Sequence, residues 1–538
     1  MSNVSVERYD DFTGGLNLRA DQFQLARNES PDMLNVEIDP RGGLFTRGAM
    51  REINSTAIAG TWNPYRLHSF YGASPRVMLA NNTGVWHSSG TNFTQLAYSS
   101  GNNIVASNTF GASFANWGQV LYTATGTSGS NVYTWETGNT YASAISTIAT
   151  AGDWNDNYNS PTRNHFPRCE HIIVHANKMF AAGTNDAGTV YPNRLRWSHE
   201  AEPKDWATED FIDFLGGGSR ITALAVYAGQ LIVFKQNSIY IVYGYETADF
   251  AVVELTSRLG VDSSAKVATA ENGIYFYSHP NGLFFYNGST IVDLSDNFNS
   301  IYPNNYVNDA ATSTISVSYV NRRVWLSLPY SKITSVSNAT VNLVYDPSIG
   351  SRGAFTMFST SDDYGVVGGC DFTASTGVTY GLVIHPAIPR VLKVDAFESE
   401  TDLLATVETN FSSYYRTGWV DGRSYSQKKM WRRPDIVIKQ ADTARTINVK
   451  VFHNFEEANG NERKAFSIAI DASASGMLWG EGRWGVGEWG LQAEGAQVVR
   501  GSNLGLARSV QLLFTGPDGL SWGIDSISYK FNTRKVTG

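Results

Sequence analysis

The sequence predicts an all-β protein: a β-propeller of six or seven irregular blades, with an N-terminal arm and a C-terminal antiparallel β-sandwich or extra sheet. Three observations lead there. The first is a kind of hairpin. Residues 231–234 and 239–243 are apolar, β-branched and aromatic, and only Lys235-Gln236-Asn237-Ser238 separates them. Each run is too short for a helix, and its lack of alternation implies a strand covered on both faces. The second is recurrence. Up to seven such pairs occur between about residues 62 and 400, at an irregular spacing near the ~40–50 residues of a four-stranded blade. The third is composition: 50 Gly, 27 Tyr, 27 Phe and 14 Trp in 538 residues, with only 17% charged, describe many tight turns between aromatic-lined strands.

In chain order, residues 1–55 form the arm. Gly14-Gly15 sets a turn after Phe12. Ser30-Pro31-Asp32 reads as an N-cap with proline at the first helical position, opening a short helix through Met33 and Leu34. Val36-Glu37-Ile38 and Leu44-Phe45-Thr46 flank Asp39-Pro40-Arg41-Gly42-Gly43, a hairpin with a glycine-rich turn. The arm is too small for a core of its own.

Residues 56–400 carry the repeated theme. Arg76-Val77-Met78-Leu79-Ala80 precedes Gly84-Val85-Trp86-His87, and Gln119-Val120-Leu121-Tyr122 precedes Asn131-Val132-Tyr133-Thr134-Trp135. Lys178-Met179-Phe180-Ala181 precedes Arg194-Leu195-Arg196-Trp197-Ser198, and the 231–243 hairpin comes next. Residues 272–277 then precede 281–288, residues 323–328 precede 341–345, and residues 379–383 precede 390–394. One hairpin cannot bury both faces alone. Stacking similar sheets around an axis does so and leaves only short edges. A pair of β-sandwiches is the rival arrangement, since it also uses many short strands.

Residues 401–538 change character. Their net charge is +3, against −11 for residues 1–400 and −8 for the whole chain. Residues 435–439, 447–452, 509–514 and 524–529 alternate in polarity as half-buried strands do. The acidic larger part argues against nucleic-acid binding by counterion release. The two cysteines, Cys169 and Cys370, are too few for a disulfide scaffold and suggest folding in a reducing compartment. The stretch MSNVSVERYDDF has no apolar secretory core, so Asn-x-Ser/Thr triplets such as Asn81-Asn82-Thr83 read as chance matches. No run reaches the ~18 apolar residues of a membrane span.

Reactive constellations are weak. Gly217-Gly218-Ser219 lacks the flanks of a nucleophile elbow, and no phosphate-cradling loop ends in Gly-Lys-Ser/Thr. Asp153-Trp154-Asn155-Asp156-Asn157 and Asp293-Leu294-Ser295-Asp296-Asn297 offer spaced oxygens, but without the glycine and terminal glutamate of a calcium loop they read as turns. His171 and His175 lie four apart in a strand-like run, which is not zinc spacing on a helix. Asp362-Asp363 and the group Glu398, Glu400 and Asp402 are adjacent acids, and adjacency does not make the cleft geometry of a glycosidase. Residues 515–522, ending in Trp522, only faintly suggest a sialidase turn. The expectation is therefore no enzyme, no cofactor and no metal. Two clusters are candidate interface residues. Trp479, Trp484 and Trp489 are spaced by five with glycines between, and could anchor a partner, stack on sugars or pack internally. Lys428, Lys429, Arg432 and Arg433 surround Trp431, and could grip an acidic surface or flank a strand in solvent.

Several of these motifs, in their order, resemble the tail nozzle (tail tubular protein B-like) family of short-tailed bacteriophages. The arm carries Phe12-Thr13-Gly14-Gly15-Leu16-Asn17, then Asn35-Val36, then Gly43-Leu44-Phe45-Thr46-Arg47-Gly48. Trp197-Ser198, Pro203-Lys204-Asp205-Trp206, the 231–243 hairpin and residues 282–288 follow, then residues 429–433 and Leu504-Gly505-Leu506-Ala507-Arg508. The resemblance spans nearly the whole chain, and these motifs are structural. It implies a virion protein assembled in the host cytoplasm, a homo-oligomer (a six-fold ring) at the end of the tail. Its partners would be the tail adaptor and tail fibre or spike proteins, with the host cell envelope met indirectly. Double-stranded DNA would pass through the lumen without specific binding, helped by acidic walls. The alternative is a carbohydrate-binding or carbohydrate-cleaving β-propeller of the phage tail.

Overall fold

The protein is described by a computed structural model covering residues 4–21, 23–60, 62–81, 84–107, 111–159, 163–216, 220–298, 315–329, 340–396, 399–439, 444–456, 461–470 and 496–533. Among these residues the regular structure is β-strand, with four 3-10 turns and no α-helix. Six four-stranded antiparallel sheets follow one another along residues 64–95, 113–144, 171–213, 221–256, 267–293 and 316–358. A seventh, six-stranded sheet begins at Val367–Thr373. In every sheet the second and third strands are one of the seven aromatic hairpins. In the fourth, Gln230–Lys235 pairs with Ile239–Tyr243, Leu231 opposite Val242 and Phe234 opposite Ile239.

The packing explains why these hairpins do not alternate. Leu231 and Val233 point toward the third sheet and cluster with Phe180, Leu195 and Trp197. Ile232 and Phe234, on the other face, cluster with Ile274, Phe276 and Phe284 of the fifth sheet. The same wedge recurs between the first and second sheets (Phe70 and Met78 with Phe114 and Trp135) and between the sixth and seventh (Trp325 and Val344 with Val383 and Leu392). A further wedge joins the seventh sheet to the first, with Leu382, Ile384 and Val391 against Leu67, Val77 and Leu79. The sheets thus follow one another in a closed circle, an arrangement consistent with a β-propeller.

Closure uses the beginning of the chain. Val391–Ala396 of the seventh sheet pairs antiparallel with Ala49–Glu52, Leu392 opposite Glu52 and Lys393 opposite Arg51. Asp402–Leu404 then pairs with the other side of Ala49–Glu52. A strand from the N-terminal region therefore completes a sheet made from residues more than three hundred positions later.

Two larger sheets lie outside this circle. One joins Asp435–Lys439, Gly523–Thr533, Lys429–Trp431, Gly505–Ala507 and Ala496–Arg500 with Ser5–Tyr9 and the arm hairpin Val36–Ile38/Leu44–Thr46. The other joins Asp32–Leu34, Tyr414–Arg416, Val510–Thr515, Arg445–His453 and Lys464–Ile470. Ile436, Ile438, Ile527 and Tyr529 of the first pack in one cluster with Ile447, Val449, Val451 and Phe514 of the second. That cluster runs on through Phe12, Leu16, Met33 and Leu34 of the arm to Phe355 and Met357 of the sixth sheet.

The short helix expected after Ser30 does not form. Glu29–Ser30 and Asp32–Leu34 are strands, and Met33 pairs with Tyr415. Ser30 Oγ donates to the Arg416 carbonyl at 2.7 Å, and the Tyr414 hydroxyl donates to Asp32 Oδ1 at 2.9 Å. A helical nucleus of a few residues costs more than it returns. The open edge of the five-stranded sheet offers ladder bonds and burial for Met33 and Leu34 instead. The Gly14-Gly15 turn has a tertiary cause as well. Gly15 has φ +67°, and a Cβ there would lie 2.7 Å from the Phe355 carbonyl oxygen.

Candidate functional site: the axial channel

The first strands of the seven sheets are Pro64–Tyr71, Ser113–Trp117, His171–His175, Ile221–Tyr227, Val267–Ala270, Ser316–Val320 and Val367–Thr373. All seven contribute to the wall of one cavity of about 560 Å³. Like positions meet across neighbouring strands. Ser113 Oγ donates to the Ile172 carbonyl at 3.0 Å, start against start. Farther along, Asn116 Nδ2 donates to the Ser69 carbonyl at 3.2 Å, and Ser69 Oγ donates to the Asp371 carbonyl at 2.5 Å. The strands therefore run in the same sense around the cavity, which is a channel along the axis of the circle.

The two ends of the channel differ in charge. Arg66 and His171 sit near the starts of their strands, with His68 one step further in. Burial depresses the imidazole of His68 to about 4, against the hydrogen bond of Asn116, whose Oδ1 lies 2.9 Å from His68 Nε2; the Arg66 charge adds to the depression. His171 is held at about 3 by burial and by Arg66 and Arg220. Toward the other end, burial raises the Asp371 carboxyl, with Glu271 and Asp395 adding to the effect, although the Asn321 backbone N–H donates to it at 2.9 Å. Burial also pushes the Cys370 thiol, on the wall, up to about 12, which keeps it protonated and poorly nucleophilic.

Three of the acids singled out in the sequence are committed to separate partners. Asp362 lies 3.1 Å from His385 Nε2, Asp402 takes both Nη atoms of Arg47 at 2.9 and 2.8 Å, and Glu400 lies 2.7 Å from Arg445. Glu398 lies outside the described residues. Both Asp-rich stretches are turns: Asp153 Oδ2 accepts the backbone N–H of Thr150 at 2.7 Å, and Asp293 Oδ1 that of Ser295 at 2.7 Å. His171 and His175 share a strand face about 13 Å apart, too far for one ion. Among the described residues no group of three His, Cys, Asp or Glu side chains is placed to hold a metal. Trp522 is buried, its indole N–H donating to Ser413 Oγ at 2.7 Å.

The basic cluster divides. Lys429 and Trp431 point inward, against the expectation of an exposed cluster. Both are fully buried in the eight-stranded sheet. Lys429 Nζ donates to the carbonyls of Ser424, Gln427 and Arg508, and burial lowers its pKa. Trp431 Nε1 donates to the Ala507 carbonyl at 3.1 Å, and its ring packs against Phe531. Strand alternation turns these two inward. Lys428, Arg432 and Arg433 are exposed. Trp479, Trp484 and Trp489, like Gly217-Gly218-Ser219, lie outside the described residues. Sequence reasoning did not single out Arg66. Its signal is an arginine two residues before a histidine in a strand opening a blade, which is faint without knowledge of the axis.

No family model matches the chain, and no curated protein does. Among solved structures, it is similar to the crystal structure of BBS1N in complex with ARL6DN, at 10% identity and a TM-score of 0.39, over 65% of this chain and 97% of that one. It is also similar to the extracellular domain of the one-component system BT4673 from B. thetaiotaomicron, at 10% identity and a TM-score of 0.35, over 78% of this chain and 47% of that one. Likenesses at this level say nothing about activity or partners.

Proposed function

We propose that this chain is a structural virion protein: a seven-bladed propeller, closed by its N-terminal strand and carrying a β-sandwich, that assembles as a homo-oligomeric ring in the nozzle of a short phage tail. In this reading it attaches to the tail adaptor, holds fibres or spikes, and surrounds the path of DNA during ejection. The supporting observation is where the resemblance motifs fall. Gly15 lies against Phe355, Asn35 Nδ2 donates to the Ser412 carbonyl at 2.8 Å, and Arg47 grips Asp402. Trp206 and Trp431 are fully buried. These motifs join arm, propeller and sandwich, and such work suits a scaffold.

Two further features favour a ring of copies. The channel within one chain is not the DNA path, because a cube of its 560 Å³ is about 8 Å on a side and the major groove alone is ~12 Å wide. DNA would instead pass between copies. A candidate contact is the outer strand of the fourth sheet, Ala251–Thr256, an edge strand on which Val252 and Val253 are 38% and 50% exposed. Edges of this kind invite pairing unless something covers them. Electron microscopy of the purified full-length chain tests the reading. Closed rings are expected, and a strictly monomeric protein that degrades or binds tail-associated polysaccharide would replace it with the carbohydrate-active alternative.

A further inference from the structure

Arg66 is the channel residue whose chemistry the fold leaves unanswered. Two other cations near the axis are paired: Arg220 with Glu170, and Lys266 Nζ with Asp262 at 2.8 Å. Among the described residues no carboxylate, carbonyl or hydroxyl meets the Arg66 guanidinium, although it lies within the wall of the channel and burial lowers its pKa. A guanidinium stays protonated even so, since its ordinary value is far above neutrality. The side chain is half-buried on the channel wall, so its charge faces the channel with no protein partner among the described residues. The neighbouring groups do not relieve it: His68 and His171 are held neutral, and Ser113 spends its hydroxyl proton on the Ile172 carbonyl.

We propose that the axial channel binds a small oxyanion, of the size and charge of inorganic phosphate, at Arg66. The planar fork of the guanidinium matches two oxygens of such an ion, and the pairing is strongest where water is limited. The cavity of about 560 Å³ has room for the ion and its bridging waters. The polarity of the channel sets the position. An anion is attracted to the Arg66 end and repelled from the end where Asp371 is backed by Glu271 and Asp395. The ion would occupy the convergence of the first, second and third sheets, adding a charged tie between strands that no covalent link joins. The inference is independent of ring assembly.

Titration of the full-length protein with sodium phosphate, sodium sulfate and sodium chloride at matched ionic strength, followed by calorimetry and thermal unfolding, tests it. The wild-type chain is expected to bind phosphate saturably at one site per chain and to unfold at a higher temperature as phosphate rises. Chloride should not reproduce this. Arg66→Met is expected to weaken phosphate binding at least tenfold and to lose the rise in unfolding temperature with phosphate. Arg258→Gln, a change at an exposed cation, should retain the wild-type response. If Arg66→Met does not fold, Arg66→Lys, which keeps the charge and loses the fork, should still bind at least tenfold more weakly. Wild-type protein that responds to phosphate only as it does to chloride overturns the proposal, as does a phosphate response undiminished in the Arg66 variants.

Discussion

Arg47 spends every donor it has. Its Nε donates to Asn35 Oδ1 at 2.9 Å, its Nη1 to Asp402 and the Gly48 carbonyl, and its Nη2 to Asp402 and the Ser359 carbonyl. Its guanidinium carbon lies 3.8 Å from the centre of the Phe411 ring. Asp402 in turn accepts the backbone N–H groups of Met50 and Ser361 at 2.8 and 2.9 Å. Lysine cannot reproduce this fork. Arg47→Ala and Arg47→Lys are both expected to destabilise the fold, the first by roughly 3–5 kcal/mol, because a buried carboxylate is left without its partner. The shift in urea midpoint measures it. The channel histidines give a pH dependence of definite sign. His171 falls from an ordinary value of 6.5 to about 3 in the fold. Between those values the unfolded chain binds more protons than the folded one. The contribution of His171 is therefore complete above pH ~6.5 and is lost as pH falls toward 3. Thermal unfolding from pH 7 to pH 4 should show a shallower loss of stability in His171→Asn than in wild type. Parallel curves would show that the imidazole is not held neutral.

At the scale of elements, what was legible in the sequence was what packs on both faces. All seven aromatic hairpins are middle strand pairs of sheets, because only those strands must be apolar throughout. The strands flanking them carry weaker patterns. The inner strand Val267–Ala270 is Val-Ala-Thr-Ala, small enough to crowd the axis, and the inner strand Pro64–Tyr71 alternates Arg66 with His68. The outer strand Ala251–Thr256 is mostly exposed. The role of Ala49–Glu52 was not legible at all, since its partner Val391–Ala396 is distant in sequence and no local pattern encodes that meeting. Likewise Ser30-Pro31-Asp32 has helix-start chemistry, but tertiary pairing overrides it. The closing strand bridges two strands inside the seventh sheet, and the arm strands join the two larger sheets. A chain beginning at residue 56 should therefore lack the native cooperative unfolding transition and be cleaved rapidly in the 391–404 region. Adding a peptide of residues 1–55 should restore protection. Protease-resistant, cooperatively unfolding truncated protein would show that the circle closes without this strand.

For the whole molecule, the decisive question is what a closed circle of sheets leaves open. Sheets one to seven shelter one another's faces, yet each outer strand remains an edge, and most are short, as Thr94–Gln95 and Ser143–Ala144 are. Ala251–Thr256 is the long one among the four-strand sheets' outer strands before residue 300, and it alternates no charge against its valines until Glu254. Tyr243, opposite Ala251 on the adjacent strand, is 39% exposed and extends the apolar surface. If copies of the chain meet there, a charge placed on that strand acts on assembly and not on folding. Val253 is 50% exposed in the single chain, so Val253→Lys loses little burial and should change the unfolding midpoint by no more than the ~0.5 kcal/mol typical of surface changes. Lysine on an edge strand is a common natural barrier to edge pairing. Sedimentation of wild type and Val253→Lys at equal concentration should then give rings for the first and smaller species for the second, with equal stability. A variant that assembles as well as wild type would move the contact to another face, and one that unfolds would show that Val253 belongs to the core of its own sheet.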